Sequence, residues 1–325
     1  MVGICDSRHF GSSHRLAHGE LSIHQSSINE SGEVIENRIT KNTRMKSAIK
    51  RNLKVIFPFS LLVAVNTGFA QFVYTKSSLS DFIVESKILK GKSKVFVCLP
   101  DDYDKSTERY PVVYVLDGEY YFSFTTEALS LLTQSGLAPN CIVVGITTNN
   151  RGRDFSPKVD EDSGQTQDVK MAGGADNFLD YLANELIPTI DGKYRTQPYK
   201  VMIGHSTGGL LAYYSLYKKP NLFQAIISID GSTWWNKGKI GKEFIGFLTE
   251  NPDFKGQIFE CRKDLKIPVR FPANVELLEY LEKKRPKNLA YHYLELPDET
   301  HGTIVFPGTY YGLKGIFGDY KNKKG

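Results

Sequence analysis

Gly204-His205-Ser206-Thr207-Gly208-Gly209 sets one hydroxyl between glycines. The apolar run Lys200 to Ile203 precedes it and a helical pattern, Thr207 to Tyr217, follows. In that context the six residues predict a sharp strand-to-helix bend that lifts Ser206 clear of its neighbours. A side chain two residues before or after the serine would meet nearby backbone, and Gly204 and Gly208 remove it. A serine hydroxyl is a weak nucleophile until a base takes its proton. Beyond residue 70 the chain offers three histidines: His205, His292 and His301. His205 is adjacent to Ser206 and cannot turn back to its Oγ. His292 lies within the strand-like run AYHYLEL. His301 follows that run in Pro297-Asp298-Glu299-Thr300-His301-Gly302, so elimination leaves it as the base.

A third group should orient the base. Asp264, just beyond the strand ending near Cys261, is the first choice for this acid, and Asp230, at the end of AIISID, is the second. Glu260 falls inside a strand and is less suited; a Ser–His dyad without a carboxylate is also open. The charge that develops on an attacked carbonyl needs N–H donors. Thr207 offers one at a helix N-terminus. Gly118 or Glu119, on the predicted loop Leu116 to Phe122, offers the second. Tyr120, Tyr121 and Phe122 on that loop, with Trp234 and Trp235, either line an apolar pocket beside the site or pack in the core. This chemistry calls for no metal and no organic cofactor.

The elements that must position these residues alternate. Extended runs are expected at Asp81 to Leu89, Lys94 to Leu99, Pro111 to Leu116, Cys141 to Thr147, Lys200 to Ile203, Ala225 to Ile229, Gln257 to Cys261 and Ala290 to Leu296. Several are continuously apolar, as strands covered on both faces of a parallel sheet are. Helical spacing recurs at Thr125 to Gln134, Ala175 to Ile190, Thr207 to Tyr217 and Asn274 to Lys284. The pattern predicts a single α/β domain, its doubly wound, mostly parallel sheet flanked by helices. Asp160 to Gly174 reads as a long exposed loop.

The whole chain has 325 residues, 41% hydrophobic and 24% charged, ordinary values for a globular protein. Its net charge of +5 is scattered, without a basic stripe interleaved with aromatics, so no nucleic-acid partner is expected. From Met45 the sequence MKSAIKRNLKVIFPFSLLVAVNTGFAQ has a basic start, an apolar run and small residues before Gln71. This is the layout of a cleavable signal peptide, residues 45–70, and places the protein in the periplasm or outside the cell, with no stable membrane anchor after cleavage. Residues 1–44 are then a non-native, disordered upstream extension, and 71–325 the working domain. Cys98, Cys141 and Cys261 are an odd set in apolar surroundings and are expected as buried free thiols. The sequence carries no signal for an oligomeric state.

Several segments together carry a resemblance: PVVYVLDGEYYF (111–122), NNRGRDFSP (149–157), GGADNFLDYLANELIPTID (173–191), YRT (194–196), GHSTGG (204–209), IDGSTWW (229–235) and HGT (301–303). The chain resembles the esterase family of the α/β-hydrolase superfamily that includes esterase D and the enterochelin esterases, and is similar to the feruloyl and acetylxylan esterases of that group. The resemblance covers nearly all of residues 80–318. It implies an α/β-hydrolase fold and ester hydrolysis through an acyl-enzyme, with Ser206 and His301 catalytic and the Gly118 loop with Thr207 holding the oxyanion. It also places Arg153, Asp154, Trp234 and Trp235 near the site. The substrate it implies is a small-molecule or carbohydrate ester. Acyl transfer to an alcohol would use the same residues; a silent carbohydrate- or siderophore-binding domain would not need them intact. Gly231-Ser232-Thr233 stands where the family often has Pro-Ser-Leu, and the segment after Cys261 gives no clean acid match.

Overall fold

The computed structural model of the protein describes residues 78–161, 172–263 and 272–322. Two units divide the chain, Met1–Phe69 and Ala70–Gly325, and all the described residues lie in the second. The expected signal peptide, the upstream extension, Asp264 and most of the 160–174 loop fall outside the described residues.

Among the described residues eight strands form one sheet in the order β1-β2-β4-β3-β5-β6-β7-β8. β1 (Ser78–Ser86) and β2 (Gly91–Leu99) are an antiparallel hairpin, and β2 runs antiparallel to β4 (Ile142–Ile146). The remaining ladders are parallel: β3 (Tyr110–Leu116), β5 (Thr196–His205), β6 (Ala225–Ile229), β7 (Gly256–Arg262) and β8 (Leu289–Glu295). β3, β4 and β6 are buried at every position, which is why their sequences read as unbroken apolar runs rather than alternating ones. Their odd and even side chains feed two separate cores. One face packs Tyr114, Met202, Ile226 and Ile258 under the helices that carry Phe178, Tyr213 and Phe244. The other packs Val113, Val201, Ile227 and Phe259 against Leu129, Leu313 and Phe317.

The helices are α1 (Gly118–Gln134), α2 (Arg151–Asp154), α3 (Ala175–Tyr181), α4 (Ile187–Lys193), α5 (Thr207–Lys218), α6 (Trp235–Glu250), α7 (Pro272–Lys283) and α8 (Val305–Asn322). A π-helical turn, Leu182–Leu186, joins α3 to α4, so the helix expected from Ala175 to Ile190 continues but with one widened turn. Helix α1 begins at Gly118, leaving Asp117 as the whole connection from β3. The expected loop Leu116 to Phe122 is therefore a helix start. α6 and α8 have no counterpart in the expected pattern; glycines interrupt the helical spacing of both (Gly238, Gly241 and Gly246; Gly308, Gly312 and Gly315). In α8 two of these glycines let the helix lie directly on β6, since a Cβ at Gly308 or Gly312 would sit 2.8 or 2.5 Å from Ile229 or Ile227. The architecture is that of an α/β-hydrolase.

The chain leaves β3 through α1 to reach β4 on one side, and leaves β5 through α5 to reach β6 on the other. Connections that diverge in this way open a crevice at the carboxyl ends of β3 and β5, the usual place for a ligand in such a sheet.

Candidate active site

Ser206 follows β5 with φ 58° and ψ −118°, a conformation that costs a non-glycine residue on the order of 1–3 kcal/mol. Two backbone bonds hold it there: its N–H donates to Ile229 O (3.0 Å) and its carbonyl accepts from Ser232 N (3.0 Å). The turn is so tight that a Cβ at Gly204 would lie 2.2 Å from Gly208 O. The second glycine under steric demand differs from the one expected. At Gly208 a Cβ would find ordinary contact at 3.5 Å, whereas at Gly209 it would meet Ser228 Oγ at 2.7 Å and Gly231 Cα at 2.8 Å. The Ser206 hydroxyl faces Ser232 Oγ at 3.4 Å.

Two helices begin at this crevice. Gly118 and Thr207 are the first residues of α1 and α5, so their N–H groups have no carbonyl to bind within their own helix. Gly118 packs so closely on β4 that a Cβ would come within 2.6 Å of Gly145 C and Ile146 N. Arg151, on α2, ties the two starts together. Its Nε and Nη2 grip the buried Asp117 carboxylate (2.7 and 3.0 Å), Nη1 reaches Thr207 Oγ1, and Nη2 also donates to His205 O (3.0 Å). Burial pushes the Asp117 carboxyl up and the Arg151 guanidinium pulls it back, leaving it above the ordinary value.

His301 stands on the connection between β8 and α8. Its Nδ1 lies 2.6 Å from Asp230 Oδ2. An ionised carboxylate only accepts, so Nδ1 carries the proton and Nε2 is left with a free lone pair. Asp230 follows β6, with φ 43°, and its N–H donates to Cys261 O at 2.7 Å. Burial works to raise the Asp230 carboxyl, but the His301 hydrogen bond and charge, with Arg262 and His205, outweigh it and hold it below the ordinary carboxylate value. The second-choice acid is thus the one beside His301. The side chain of His301 is 57% exposed and makes no hydrogen bond to Ser206 Oγ in this conformation. Such bonds often close only around a bound substrate.

His205, set aside as unable to reach Oγ, has another place. Its Nε2 donates to His301 O (2.7 Å), which makes Nδ1 the acceptor for Tyr121 OH (3.2 Å). The two imidazoles lie 4.5 Å apart. Burial, together with His301, holds His205 down to about 4, so it is neutral at physiological pH.

The other expected site residues separate. Tyr121 faces His205, but Tyr120 is 73% exposed beside it. Phe122 is buried under Gly145. Trp235 is a core residue whose Nε1 donates to Pro157 O (3.3 Å), which corrects its reading as a pocket wall in favour of the core alternative, and Trp234 packs partly buried on the same core. Arg153 turns to Asp154 (2.6 Å) and not to the crevice; the arginine that reaches the site is Arg151. His292 stays within β8. In sequence Arg151 was legible only as an arginine at the top of the sheet, and Ser232 only as part of the Gly231-Ser232-Thr233 departure from the family pattern. Cys98, Cys141 and Cys261 are buried thiols outside any disulfide.

The arrangement can do acyl chemistry: a half-buried serine on a strained bend, an imidazole with its proton placed by a carboxylate, and two helix-start amides beside them. Comparison with known proteins points the same way. The IroE-like serine hydrolase from Shewanella oneidensis aligns with a TM-score of 0.68 and 32% identity, over 75% of this chain and 81% of that one. The ferri-bacillibactin esterase BesA of Bacillus subtilis is 32% identical over 155 residues, 43% of this chain and 54% of that protein. The siderophore triacetylfusarinine C esterase of Aspergillus fumigatus is 32% identical over 142 residues, 41% of this chain and 48% of that protein. The matches span about half the length of these curated relatives. The family model described as "Putative esterase" matches residues 86–256, more than half of the chain, and the chain belongs to that family.

Proposed function

We propose that the protein hydrolyses carboxylic esters through an acyl-enzyme on Ser206, with His301 as general base and Asp230 as its orienting acid. The observation that carries the reading is the 2.6 Å Asp230–His301 contact beside the Ser206 bend, because it fixes the tautomer whose Nε2 can accept the serine proton. Ser206 Oγ attacks the ester carbonyl as His301 takes its proton, and the Gly118 and Thr207 amides receive the negative oxygen. His301 then protonates the leaving alcohol and afterwards activates water, which releases the acid. Arg151 holds both amide donors in place through Asp117 and Thr207.

The names of the relatives suggest the substrate class, an ester linkage in a small siderophore-type molecule. Turnover of p-nitrophenyl acetate by the 71–325 protein tests the activity, and a panel of siderophore lactones, feruloyl esters and acetylated sugars tests the class. Loss of turnover in Ser206→Ala is the expected result; a Ser206→Ala protein as active as the parent would reject the mechanism. Products formed in added alcohol separate hydrolysis from transfer. We also infer export directed by residues 45–70. The matching test is whether the N-terminus of protein recovered outside the cytoplasm begins at Gln71.

A further inference from the structure

β7 ends in two charged residues that the mechanism above does not use. Glu260 is fully buried and Arg262 is 4% exposed. Arg262 Nε donates to Glu260 Oε1 at 2.5 Å, Nη1 to Gly231 O at 3.1 Å and Nη2 to Thr233 Oγ1 at 2.7 Å. The second oxygen of Glu260 accepts from Tyr213 OH of α5 (2.5 Å) and Tyr291 OH of β8 (3.4 Å). The guanidinium thus spends its fork on the short loop that opens with Asp230. The same loop is held from below by Cys261 O on Asp230 N and from the other side by Ser206 O on Ser232 N. Without those ties Asp230 has no reason to keep a positive φ, and an extended Asp230 would carry its carboxylate off His301.

A buried ion pair is a poor way to gain stability, since desolvation offsets most of the attraction and apolar residues of like volume often serve as well. What the pair supplies here is direction: a planar fork that bridges three acceptors at set angles. We propose that the Glu260–Arg262 pair is the positioning element of the acid loop, holding Asp230 and Ser232 in register with His301 and Ser206. The proposal rests on the esterase reading. The charged and titratable groups facing Asp230 are His301 and His205, with Arg262 and the Cys261 thiol on β7. Those facing Glu260 are Arg262, Tyr213, Cys261 and the β8 tyrosines Tyr291 and Tyr293.

Arg262→Lys keeps the charge and loses the fork, and the double variant Glu260→Leu with Arg262→Met replaces the pair by apolar residues. In both, kcat should fall roughly tenfold to a hundredfold, as a misplacement of about 1 Å produces, with KM within about threefold. The melting temperature of the double variant should stay at or above that of the parent. Wild-type kcat in Arg262→Lys, or a rise in KM that exceeds the fall in kcat, would overturn the proposal. So would an activity loss in the double variant that merely tracks a fall in melting temperature. If the parent turns over no ester, or Ser206→Ala retains the turnover, the esterase reading falls and the clamp with it. If the parent is active through Ser206 and Arg262→Lys matches it, the clamp alone falls.

Discussion

The two halves of the candidate site are built to different standards. On the β3–β5 side everything is tied: Asp117 is buried, Arg151 bridges it to Thr207 and His205, and Gly204 and Gly118 press backbone on backbone. On the β8 side His301 is more than half exposed and hangs from Asp230 by its ring and from His205 by its carbonyl. The difference follows the work proposed for each. Amides that stabilise a developing charge must be in place before it forms, since reorienting them later would forfeit the gain. A base that passes a proton to several partners in turn needs room to move, and two well-placed bonds define it sufficiently. Rigidity is concentrated where charge appears.

That contrast can be broken at several points. The largest effect is expected at Asp230→Asn, which keeps the shape but presents an amide to Nδ1 and favours the wrong tautomer; kcat should drop by a factor on the order of 10^3–10^4, with folding stability almost unchanged, as steady-state kinetics and thermal melts would show. Gly204→Ala should act in the opposite manner, through the fold. A methyl 2.2 Å from Gly208 O forces the bend open, and denaturant titration should find about 3 kcal/mol or more lost. Arg151→Met should cost about a hundredfold in kcat with little change in KM, by loosening the two amide donors rather than the base. A larger rise in KM than fall in kcat would instead make Arg151 a substrate contact.

The smallest effect concerns pH. His205 is held down to about 4, below the roughly 6.5 of an unfolded histidine. The unfolded chain therefore binds more protons between those values, and the stability His205 contributes is full above about pH 6.5 and is lost as pH falls towards 4. The total is on the order of 3 kcal/mol. Chemical denaturation of the parent between pH 7.5 and 4.5 should show that slope, and His205→Gln should flatten it. An unchanged slope would place the acid sensitivity elsewhere. Asp230, held below its ordinary value, adds loss in the same direction at still lower pH.

The sheet was readable because strands covered on both faces leave continuous apolar runs, as PVVYVL and CIVVGIT do. The serine bend was readable because glycine two residues before a serine, after a strand and ahead of a helix, has few other uses. The candidate acid was harder, since carboxylates at the ends of two neighbouring strands look alike in one dimension; the contact between Asp230 and His301 exists only in the folded chain, where residues 71 apart in sequence meet. Helix α8 was missed because close packing on β6 demanded glycine where propensity argues against it, and α6 because its first turn holds the left-handed residues Asn236, Lys237 and Gly238. Trp235 misled because a large aromatic beside a site residue packs inward as readily as it lines a pocket. Arg151 was legible at the top of the sheet, but its bridging role was not, because its partners Asp117 and Thr207 are distant in sequence.

The most direct test of the account is covalent labelling with a fluorophosphonate, with the modified peptide mapped by mass spectrometry in the parent protein and in His301→Ala. The account predicts one adduct, on Ser206, formed at least a hundredfold more slowly without His301. An adduct on another residue, or labelling of Ser206 at the same rate in both proteins, would contradict it.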